Sequence, residues 1–345
     1  MTRHVLAVTL GDPVGIGPEI VARTLAEQSG ADGHHGVAVG DAAALRRGVA
    51  AMGLDVEVRT VEGYGTEPAD GVIDVVDTGV LGDDVPGWGE VDARAGRAAV
   101  AAIEEATRAA MAGEVAGIVT GPINKEAIWA AGSEHLGHTE MLGELTGVSQ
   151  QDTMFVVRNT AAEGHHLRIF FTTRHVALRK ALDQVTKDRV EESIDRAHTA
   201  LQVFGVEQPR LAVAALNPHG GENGNFGDEE IVHIGPAVEA ARSRGLDVAG
   251  PVPADSVFHQ GLVGRYDGVL SHFHDQGHIP AKTFDFDGTI SVTVGLPVLR
   301  TSVDHGTAFD IAGTGKAGHG TMLSAYLAAV DYAPFVDNIR TAYGR

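Results

Sequence analysis

Three histidines and an aspartate lie close together in the segment 271–280, which reads Ser-His-Phe-His-Asp-Gln-Gly-His-Ile-Pro. This segment follows a strand-like run at 266–270 and has the composition of a loop. Neutral imidazole is the commonest protein ligand for divalent transition metals, and a neighbouring carboxylate can orient the ring. The segment therefore indicates a metal site or a proton-transfer site.

Two further histidines follow apolar, β-branched runs. His175 comes after the run at 167–171 and His219 comes after the run at 211–216, so each emerges at the carboxyl end of a predicted strand. In α/β folds, ligands bind at that edge of the sheet. A single histidine there is more often a hydrogen-bonded polar residue than a ligand, but three such histidines favour a shared site.

The elements that position these residues alternate between strand-like and helical runs along most of the chain. This alternation predicts an α/β fold with a largely parallel sheet. The strand-like runs at 154–157 and 167–171 leave no room for a helix between them, so we expect an antiparallel pair there and a mixed sheet. Long helices are expected over 186–204 and 228–244. No repeat or linker marks a boundary between lobes.

The composition limits the classes of function. A chain of 345 residues is long enough for one large domain or two lobes. Its net charge of -20 argues against binding of nucleic acid or anionic membranes. The absence of cysteine excludes disulfides and thiolate metal sites. The N-terminal residues lack a signal-peptide pattern and the alanine-rich stretch 93–112 is too charged to span a membrane, so we expect a cytoplasmic location.

Several other segments allow both a functional and a plain interpretation. The segment 9–19 has the layout of an anion-receiving helix N-terminus, but its glycines do not follow G-x-G-x-x-G, so a tight turn is the alternative. Lys125 is expected to be a solvated lysine at a helix start, and Thr139 a helix N-cap. In 295–307, Arg, Ser, Asp and His follow a strand, which suits an anionic ligand. No H-E-x-x-H or G-x-S-x-G motif supports a zincin protease or a serine hydrolase.

Six blocks of residues, in the same order along nearly the whole chain, carry a family resemblance. The blocks are 11–19, 121–126, 137–140, 217–222, 274–277 and 295–307. Together they resemble the 4-hydroxythreonine-4-phosphate dehydrogenase family, whose fold is similar to that of isocitrate and isopropylmalate dehydrogenases. The resemblance implies two α/β lobes with mixed sheets and an active site in the cleft between them.

On this resemblance, the first lobe is discontinuous and contains both termini. It covers 1–137 and 275–345, and the second lobe covers 138–274 with most of the metal ligands and the dimer interface. Family members are homodimers in which two metal-binding histidines come from one subunit and the third from the other. The implied metal ligands are His175 and His219 of one subunit and His274 of the other.

The resemblance also implies the substrate-binding and catalytic residues. The substrate-binding positions correspond to His138, Thr139, Lys282, Ser291 and Arg300. The catalytic candidates are Asp255, Lys282 and His138, and the roles of Asp255 and Lys282 in proton transfer stay open. The residues that bind the nicotinamide cofactor are not indicated.

The residue at one position differs from the one that the family usually has, and several blocks resemble one branch of the family. Ser291 stands where the family usually has Asn, and its shorter side chain cannot reproduce both amide hydrogen bonds. The blocks 174–180, 222–230, 278–280 and 308–312 look more like the dehydrogenases of 4-phospho-D-threonate and 4-phospho-D-erythronate, which serve sugar-acid catabolism, than like the vitamin B6 enzyme.

The expected reaction is NAD-dependent oxidation of a phosphorylated four-carbon hydroxy acid, followed by decarboxylation of the β-keto acid. One divalent metal per site (Zn, Mg, Mn or Co) would make the substrate hydroxyl more acidic and stabilise enolate charge. Three alternatives remain: the vitamin B6 dehydrogenase, an NAD-independent metal-dependent aldolase or hydrolase, and a noncatalytic sugar-phosphate binding protein. No nucleic acid or membrane partner is expected.

Overall fold

The computed structural model describes residues 4–28, 34–158 and 165–344. The strands are β1 (His4–Thr9), β2 (His34–Gly40), β3 (Glu57–Val61), β4 (Val72–Asp77), β5 (Gly117–Thr120), β6 (Asp152–Val157), β7 (Leu167–Phe171), β8 (Leu211–Ala214), β9 (Val248–Val252), β10 (Gly268–Ser271), β11 (Thr289–Val294) and β12 (Leu299–Ser302). The helices are α1 (Gly17–Gln28), α2 (Ala42–Ala51), α3 (Ala93–Ala112), α4 (Lys125–Ala130), α5 (His138–Thr146), α6 (Leu178–Asp183), α7 (Lys187–Val203), α8 (Gly235–Ser243), α9 (Ala254–Leu262), α10 (His274–Phe284), α11 (Gly320–Tyr332) and α12 (Val336–Tyr343).

Residues 1–152 and 290–345 form one compact unit, the first unit. Its strands lie in the order β3-β4-β2-β1-β5-β12-β11. Neighbouring strands are parallel except for the antiparallel pair β12 and β11. Strands β5 and β12 are buried along their whole length, as is typical of parallel strands covered on both faces. These buried strands therefore fix the positions of the polar residues that follow them.

Residues 153–289 form the second unit, with the strand order β6-β7-β10-β8-β9. Here β6 and β7 are antiparallel and the other pairs are parallel. The antiparallel pair is the one expected from the short spacing of the two runs. The prediction of an α/β fold with mixed parallel and antiparallel strands is confirmed.

Local capping explains where several helices begin and end. The carboxylate of Asp92 accepts a hydrogen bond from the Arg94 amide at 2.6 Å at the start of α3, and Gly113 ends that helix with a φ of 78°. The Asn124 side chain caps α4 by accepting from the Ala127 amide at 3.0 Å. None of the described helices is long and apolar enough to cross a membrane.

The segment 271–280 is mostly helical, contrary to the loop that its composition predicts. Helix α10 begins at His274 and continues through Pro280, which removes one hydrogen bond of the helical ladder. Gly277 allows the helix to approach the sheet closely, since a Cβ there would lie 2.6 Å from Cε1 of Phe171. Packing against the sheet therefore overrides the unfavourable local propensities.

The two units divide at 152/153 and 289/290, later along the chain than the lobe boundaries implied by the resemblance. Helix α5 lies in the first unit because it packs on α3, and because the Gln151 side chain donates to the Thr139 carbonyl at 2.5 Å. Helix α10 lies in the second unit because it packs on β7. The N-cap of α5 is Gly137, so the expectation that Thr139 caps this helix is wrong.

Candidate active site

One face of the sheet in the first unit carries polar side chains where a packed core would be apolar. Ser291 pairs in register with Ser302, and Ser302 with Thr120, so these side chains point to the same face. Thr293 and Arg300 lie two residues away in the same strands and share that face, because side chains alternate along a strand. All five residues are buried. A buried polar face of this kind suits a ligand better than apolar packing.

Arg300 is the charged member of this face and is 6% exposed. Its Nε and Nη2 donate to Oγ1 of Thr120 at 3.1 and 2.8 Å, and its Nη1 donates to Oγ1 of Thr293 at 3.1 Å. Within the part of the chain that the structure describes, no carboxylate pairs with this guanidinium. Burial lowers the pKa of Arg300 to about 10. A desolvated cation held by neutral hydroxyls is suited to receive an anion.

His138 lies in the field of this buried cation. It is the first residue of α5, and its Nε2 is shielded from solvent with no hydrogen-bond partner among the described residues. Burial lowers the pKa of the imidazole well below its usual value, and the positive charge of Arg300 lowers it further. The ring is therefore neutral at pH 7 and has one nitrogen left for a ligand. Thr139 follows in the first turn of the same helix.

The turn between β1 and α1 contains acidic side chains that accept hydrogen bonds from backbone amides. The Val14 amide donates to Oδ1 of Asp12 at 3.0 Å. Glu19, fully buried in the first turn of α1, accepts hydrogen bonds from two backbone amides of the loop 313–315, each at 2.8 Å. The Val14 amide is thus already bonded within the turn, which favours the tight-turn interpretation of the segment 9–19.

Asp12 is itself an unusual carboxylate. It is 1% exposed, and its Oδ2 has no hydrogen-bond partner among the residues that the structure describes. Burial raises the pKa of Asp12 to about 6, against the opposing effect of its hydrogen bond from Val14. The folded protein therefore keeps this carboxylate charged at pH 7 at a cost in stability.

In the second unit, His175 and His274 lie close together, with their ring centroids 5.8 Å apart. His274 begins α10, and its Nδ1–H donates to Oδ1 of the adjacent Asp275 at 2.6 Å. This hydrogen bond leaves Nε2 as the nitrogen that can bind a metal, while the carboxylate fixes the orientation of the ring.

His219 lies in a left-handed turn of the second unit and is 65% exposed. Residues 219–223 all have positive φ, between 42 and 78°. Three of them are not glycine, and each such residue costs about 1–2 kcal/mol in this conformation. The Nδ1–H of His219 donates to Oε1 of Glu222 at 2.8 Å, which again leaves Nε2 for a ligand. Backbone strain of this type is concentrated at functional sites.

A complete metal site is not assembled within one chain. Among the described residues, no three His, Asp or Glu side chains converge on a point where a metal ion could bind. The His175–His274 pair and the carboxylate-oriented His219 are nonetheless the donor types that a divalent transition metal uses. The residues present thus fit such an ion, although one chain does not bring all three together.

The cluster of histidines in the segment 271–280 divides into different roles. His272 is buried, its Nε2–H donates to the Ala214 carbonyl at 2.7 Å, and its Nδ1 lies 3.2 Å from Oγ1 of Thr172. Burial lowers the pKa of His272 to about 4, so the ring is neutral and structural. His274 lies beside His175, and His278 stacks on His274.

The remaining candidates lie on helices of both units. Asp255 is exposed in the first turn of α9. Lys282 is half-buried near the end of α10, with its Nζ 5.3 Å from the ring centroid of Phe286. Lys125 begins α4 and is exposed, as expected for a solvated lysine at a helix start.

The family follows from comparison with known proteins. Residues 33–329 match the protein family described as pyridoxal phosphate biosynthetic protein PdxA. The chain belongs to the PdxA family. This finding confirms the resemblance that the six sequence blocks carry.

Similar relatives within this family are dehydrogenases by name. A relative from Cutibacterium acnes that carries the name D-threonate 4-phosphate dehydrogenase is 54% identical to this chain. The match covers 98% of this chain and 96% of the relative. A protein of the same name from Symbiobacterium thermophilum is 46% identical, and the match covers 96% of this chain and 97% of that relative. The crystal structure of 4-hydroxythreonine-4-phosphate dehydrogenase from Klebsiella pneumoniae is 43% identical, with a TM-score of 0.85 and coverage of 96% and 98%. The prediction of a dehydrogenase is confirmed.

Some side chains of the candidate site were not identified from the sequence. Thr120 and Thr293 hold Arg300. The sequence signals for these two residues were the threonine at the end of β5 and the alternation of hydroxyl residues in β11. Glu222 lies in a block that matches the family, but its bond to His219 depends on the left-handed turn. Asp12 also lies in a matching block, and no sequence pattern reveals its burial.

Proposed function

We propose that the protein uses NAD and a divalent metal to oxidise a phosphorylated four-carbon hydroxy acid, and that decarboxylation of the resulting β-keto acid follows. The proposed substrate is 4-phospho-D-threonate or 4-phospho-D-erythronate. The names of the relatives that are 54% and 46% identical support this choice. The name of the structural neighbour at 43% identity supports a second candidate, the 4-hydroxythreonine-4-phosphate dehydrogenase of vitamin B6 synthesis. The cytoplasmic location expected from the sequence remains part of the proposal.

The observation that carries this proposal is the buried Arg300. In a chain with a net charge of -20, a phosphorylated substrate needs a local cation to offset the general field. The guanidinium is already desolvated, and Thr120 and Thr293 fix its orientation. A planar guanidinium in this state can bind two phosphate oxygens with parallel hydrogen bonds. A structural arginine would instead be expected to pair with a carboxylate.

The other candidate residues have complementary roles in the proposal. Neutral His138 would donate or accept a hydrogen bond through its unsatisfied Nε2, and Thr139 would add a hydroxyl beside it. Ser291, on the same polar face as Arg300, would meet its part of the substrate with a short hydroxyl. Lys282 would bind the anionic substrate, and Asp255 and Lys282 would hold and move protons. A paired acid and base are needed because both oxidation and decarboxylation transfer a proton.

The candidate metal ligands would hold the ion through Nε2. Asp275 and Glu222 keep the Nδ1 atoms of His274 and His219 as donors, so the opposite nitrogens are unprotonated and can bind. When bound, NAD takes up the hydride and a divalent metal stabilises negative charge on the substrate oxygens.

The proposal includes a homodimer that completes each metal site, with two histidines from one subunit and the third from the other. One chain alone brings only His175 and His274 together, among its described residues. The segments that contain the three histidines also expose large apolar side chains, and contiguous patches of such side chains mark association surfaces. These side chains are Val176, Leu178, Leu182, Phe226, Ile231, Val232, Ile279 and Phe284.

The experiment that tests this function is a substrate panel followed through the absorbance of reduced nicotinamide. The protein, a divalent metal and NAD are mixed with 4-phospho-D-threonate, 4-phospho-D-erythronate or 4-phosphohydroxy-L-threonine. We expect one of the two phosphorylated sugar acids to have the highest kcat/KM. A wide preference for the amino acid would assign the protein to vitamin B6 synthesis instead.

The same panel separates the other reaction classes. Product analysis without NAD detects cleavage of the carbon chain or of the phosphate ester, which an aldolase or hydrolase would catalyse. Reduction of NAD that stops after addition of a chelator and resumes on addition of metal supports the metal requirement. Metal-independent reduction of NAD would remove the three histidines from the proposal.

A further inference from the structure

We propose that His278 is a positioning residue that holds the imidazole of His274 in the orientation needed to bind metal. This inference rests on the proposed function, because it takes His274 as a metal ligand. The two rings are stacked, with centroids 3.7 Å apart and planes inclined by 9°. His278 therefore covers one whole face of the candidate ligand.

His278 is itself firmly held. The residue is 8% exposed, and its Nδ1 lies 2.7 Å from the carbonyl oxygen of His274, one helical turn earlier. Because a carbonyl oxygen can only accept, Nδ1 carries a proton and donates to it. The ring also packs against Phe155 and Phe171, with centroid distances of 4.1 and 4.9 Å. Both phenylalanines belong to the hydrophobic core of the second unit.

His274 needs this support because its own surroundings are open. Its side chain is 41% exposed, and the carboxylate that orients it, Asp275, is 69% exposed. The hydrogen bond to Asp275 favours one orientation of the ring, but water competes for such an exposed carboxylate, so a second contact is needed to keep the binding orientation highly populated. The stack on His278 connects the ring to the packed core of β6 and β7. Groups that orient metal ligands typically change metal affinity 10–100-fold when they are removed.

Three substitutions distinguish the stacking of His278 from its other features. If the flat ring against His274 is what matters, phenylalanine at this position retains the effect although it cannot donate to the carbonyl. Leucine fills similar apolar space but has no flat ring, and glutamine retains a donor without a ring. The variants His278→Phe, His278→Leu and His278→Gln therefore separate the effect of the flat ring from the effect of the hydrogen bond.

The test measures metal binding directly. Co²⁺ is titrated into the metal-free full-length protein and followed by its visible absorption, and Zn²⁺ affinity is obtained by competition with a chromophoric chelator. We expect His278→Phe to bind both ions within about threefold of the wild type, and His278→Leu and His278→Gln to bind them 10–100-fold more weakly. The Co²⁺ spectrum of the leucine variant should also differ, because the ligand geometry is less fixed.

A matched control separates positioning from general stability. Leu201 is fully buried on α7, a helix that contributes none of the candidate ligands. Leu201→Ala should lower the thermal unfolding midpoint and leave the Co²⁺ affinity unchanged. If His278→Leu does not fold, His278→Gln decides the question.

The possible outcomes test the positioning role of His278 separately from the proposed metal site. Wild-type affinity in His278→Leu or His278→Gln would overturn the positioning role while leaving the proposed function intact. A loss in His278→Phe as large as in His278→Leu would also overturn it, since the stack would not be the feature that matters. A wild-type protein that binds neither Co²⁺ nor Zn²⁺ would remove the proposed metal site and this inference together.

Discussion

The polar face around Arg300 and the three candidate metal ligands differ in how complete they are. The polar face is buried, and strands β5 and β11 of one unit supply the hydroxyls that hold Arg300 of β12. The candidate metal ligands are more exposed, and within the described chain only two of the three meet. The first is built by one unit of the fold, whereas in our proposal a second subunit completes the second.

This difference indicates what fixes the side-chain positions in each region. Arg300 is fixed by strand register, which the backbone hydrogen bonds of the sheet determine. The histidines are instead oriented one at a time by adjacent carboxylates and, for His274, by a stacked ring. Changes in the polar face should therefore act on substrate binding alone, and changes among the histidines should depend on the assembly.

The largest effect is expected from loss of a candidate metal ligand. His219→Ala and His274→Ala should each lower kcat by at least about 10³-fold, because a bound metal supplies several kcal/mol of charge stabilisation. Unfolding temperatures should change little, since both side chains lie near the surface. His259→Ala, which removes an exposed histidine from α9, is the control and should stay active.

Mixing the two inactive variants under subunit exchange tests the shared site. We expect part of the activity to return, because one of the two sites in a heterodimer then has all its histidines. No recovery despite proven heterodimers would place His219 and His274 in the same subunit. A mixture of His175→Ala with His274→Ala sharpens the result. Recovery there agrees with the arrangement implied by the family, whereas its absence would mean that the pair at 5.8 Å acts within one chain.

The next largest effect is expected at Arg300. Arg300→Gln should lower kcat/KM by about 10²–10³-fold, since a charged partner of the substrate is lost. The ligand-free variant should unfold at the same or a higher temperature, because a buried charge without a carboxylate partner is removed. Arg210→Gln breaks a partly exposed pair with Asp267 and serves as the control, with activity retained. Strong destabilisation of Arg300→Gln would indicate a structural role.

A smaller effect, on stability alone, is expected at Asp12. Its pKa is raised to about 6, so between the unfolded value of 3.8 and about 6 the folded state holds more protons than the unfolded state. The free energy of unfolding therefore falls as pH rises through this range, by about 3 kcal/mol in total. Asp12→Asn should be more stable than the wild type at pH 8, with the difference vanishing near pH 4. Chemical denaturation at several pH values measures it, and a constant difference would contradict the assignment.

The smallest effect is expected at Ser291. Ser291→Asn restores the amide usual in the family and should shift the ratio of kcat/KM values toward 4-phosphohydroxy-L-threonine by about tenfold, the effect of one hydrogen bond. The comparison requires both substrates under the same metal and NAD concentrations. An unchanged ratio would mean that Ser291 does not distinguish the hydroxyl from the amine of the substrate.

The sequence predicts much of the fold because alternation of apolar runs is a local signal. The runs before His175 and His219 are β7 and β8, and the antiparallel partner of β7 is β6, as their short spacing indicates. Helix α10 was missed because Pro280 and Gly277 are unfavourable in isolated helices, whereas here a close approach to Phe171 stabilises the helix.

The candidate site could be predicted residue by residue but not as an arrangement. Arg300 was identified by its family block, yet its bonds to Thr120 and Thr293 require β12 to pair in register both with β11 and with β5, which lies far away in the sequence. The direction of His219 depends on five consecutive left-handed residues, which only partly contain glycine. Neither feature has a periodic signal in the sequence.

The measurement that tests the central claim most directly is a double-mutant cycle between Arg300 and the substrate phosphate. The kcat/KM values of wild type and Arg300→Gln are determined for 4-phospho-D-threonate and for D-threonate. Removing the phosphate should cost the wild type at least about 10²-fold, and should cost Arg300→Gln much less, because the two groups interact. An equal loss in both proteins would contradict the claim that the buried guanidinium binds the phosphate.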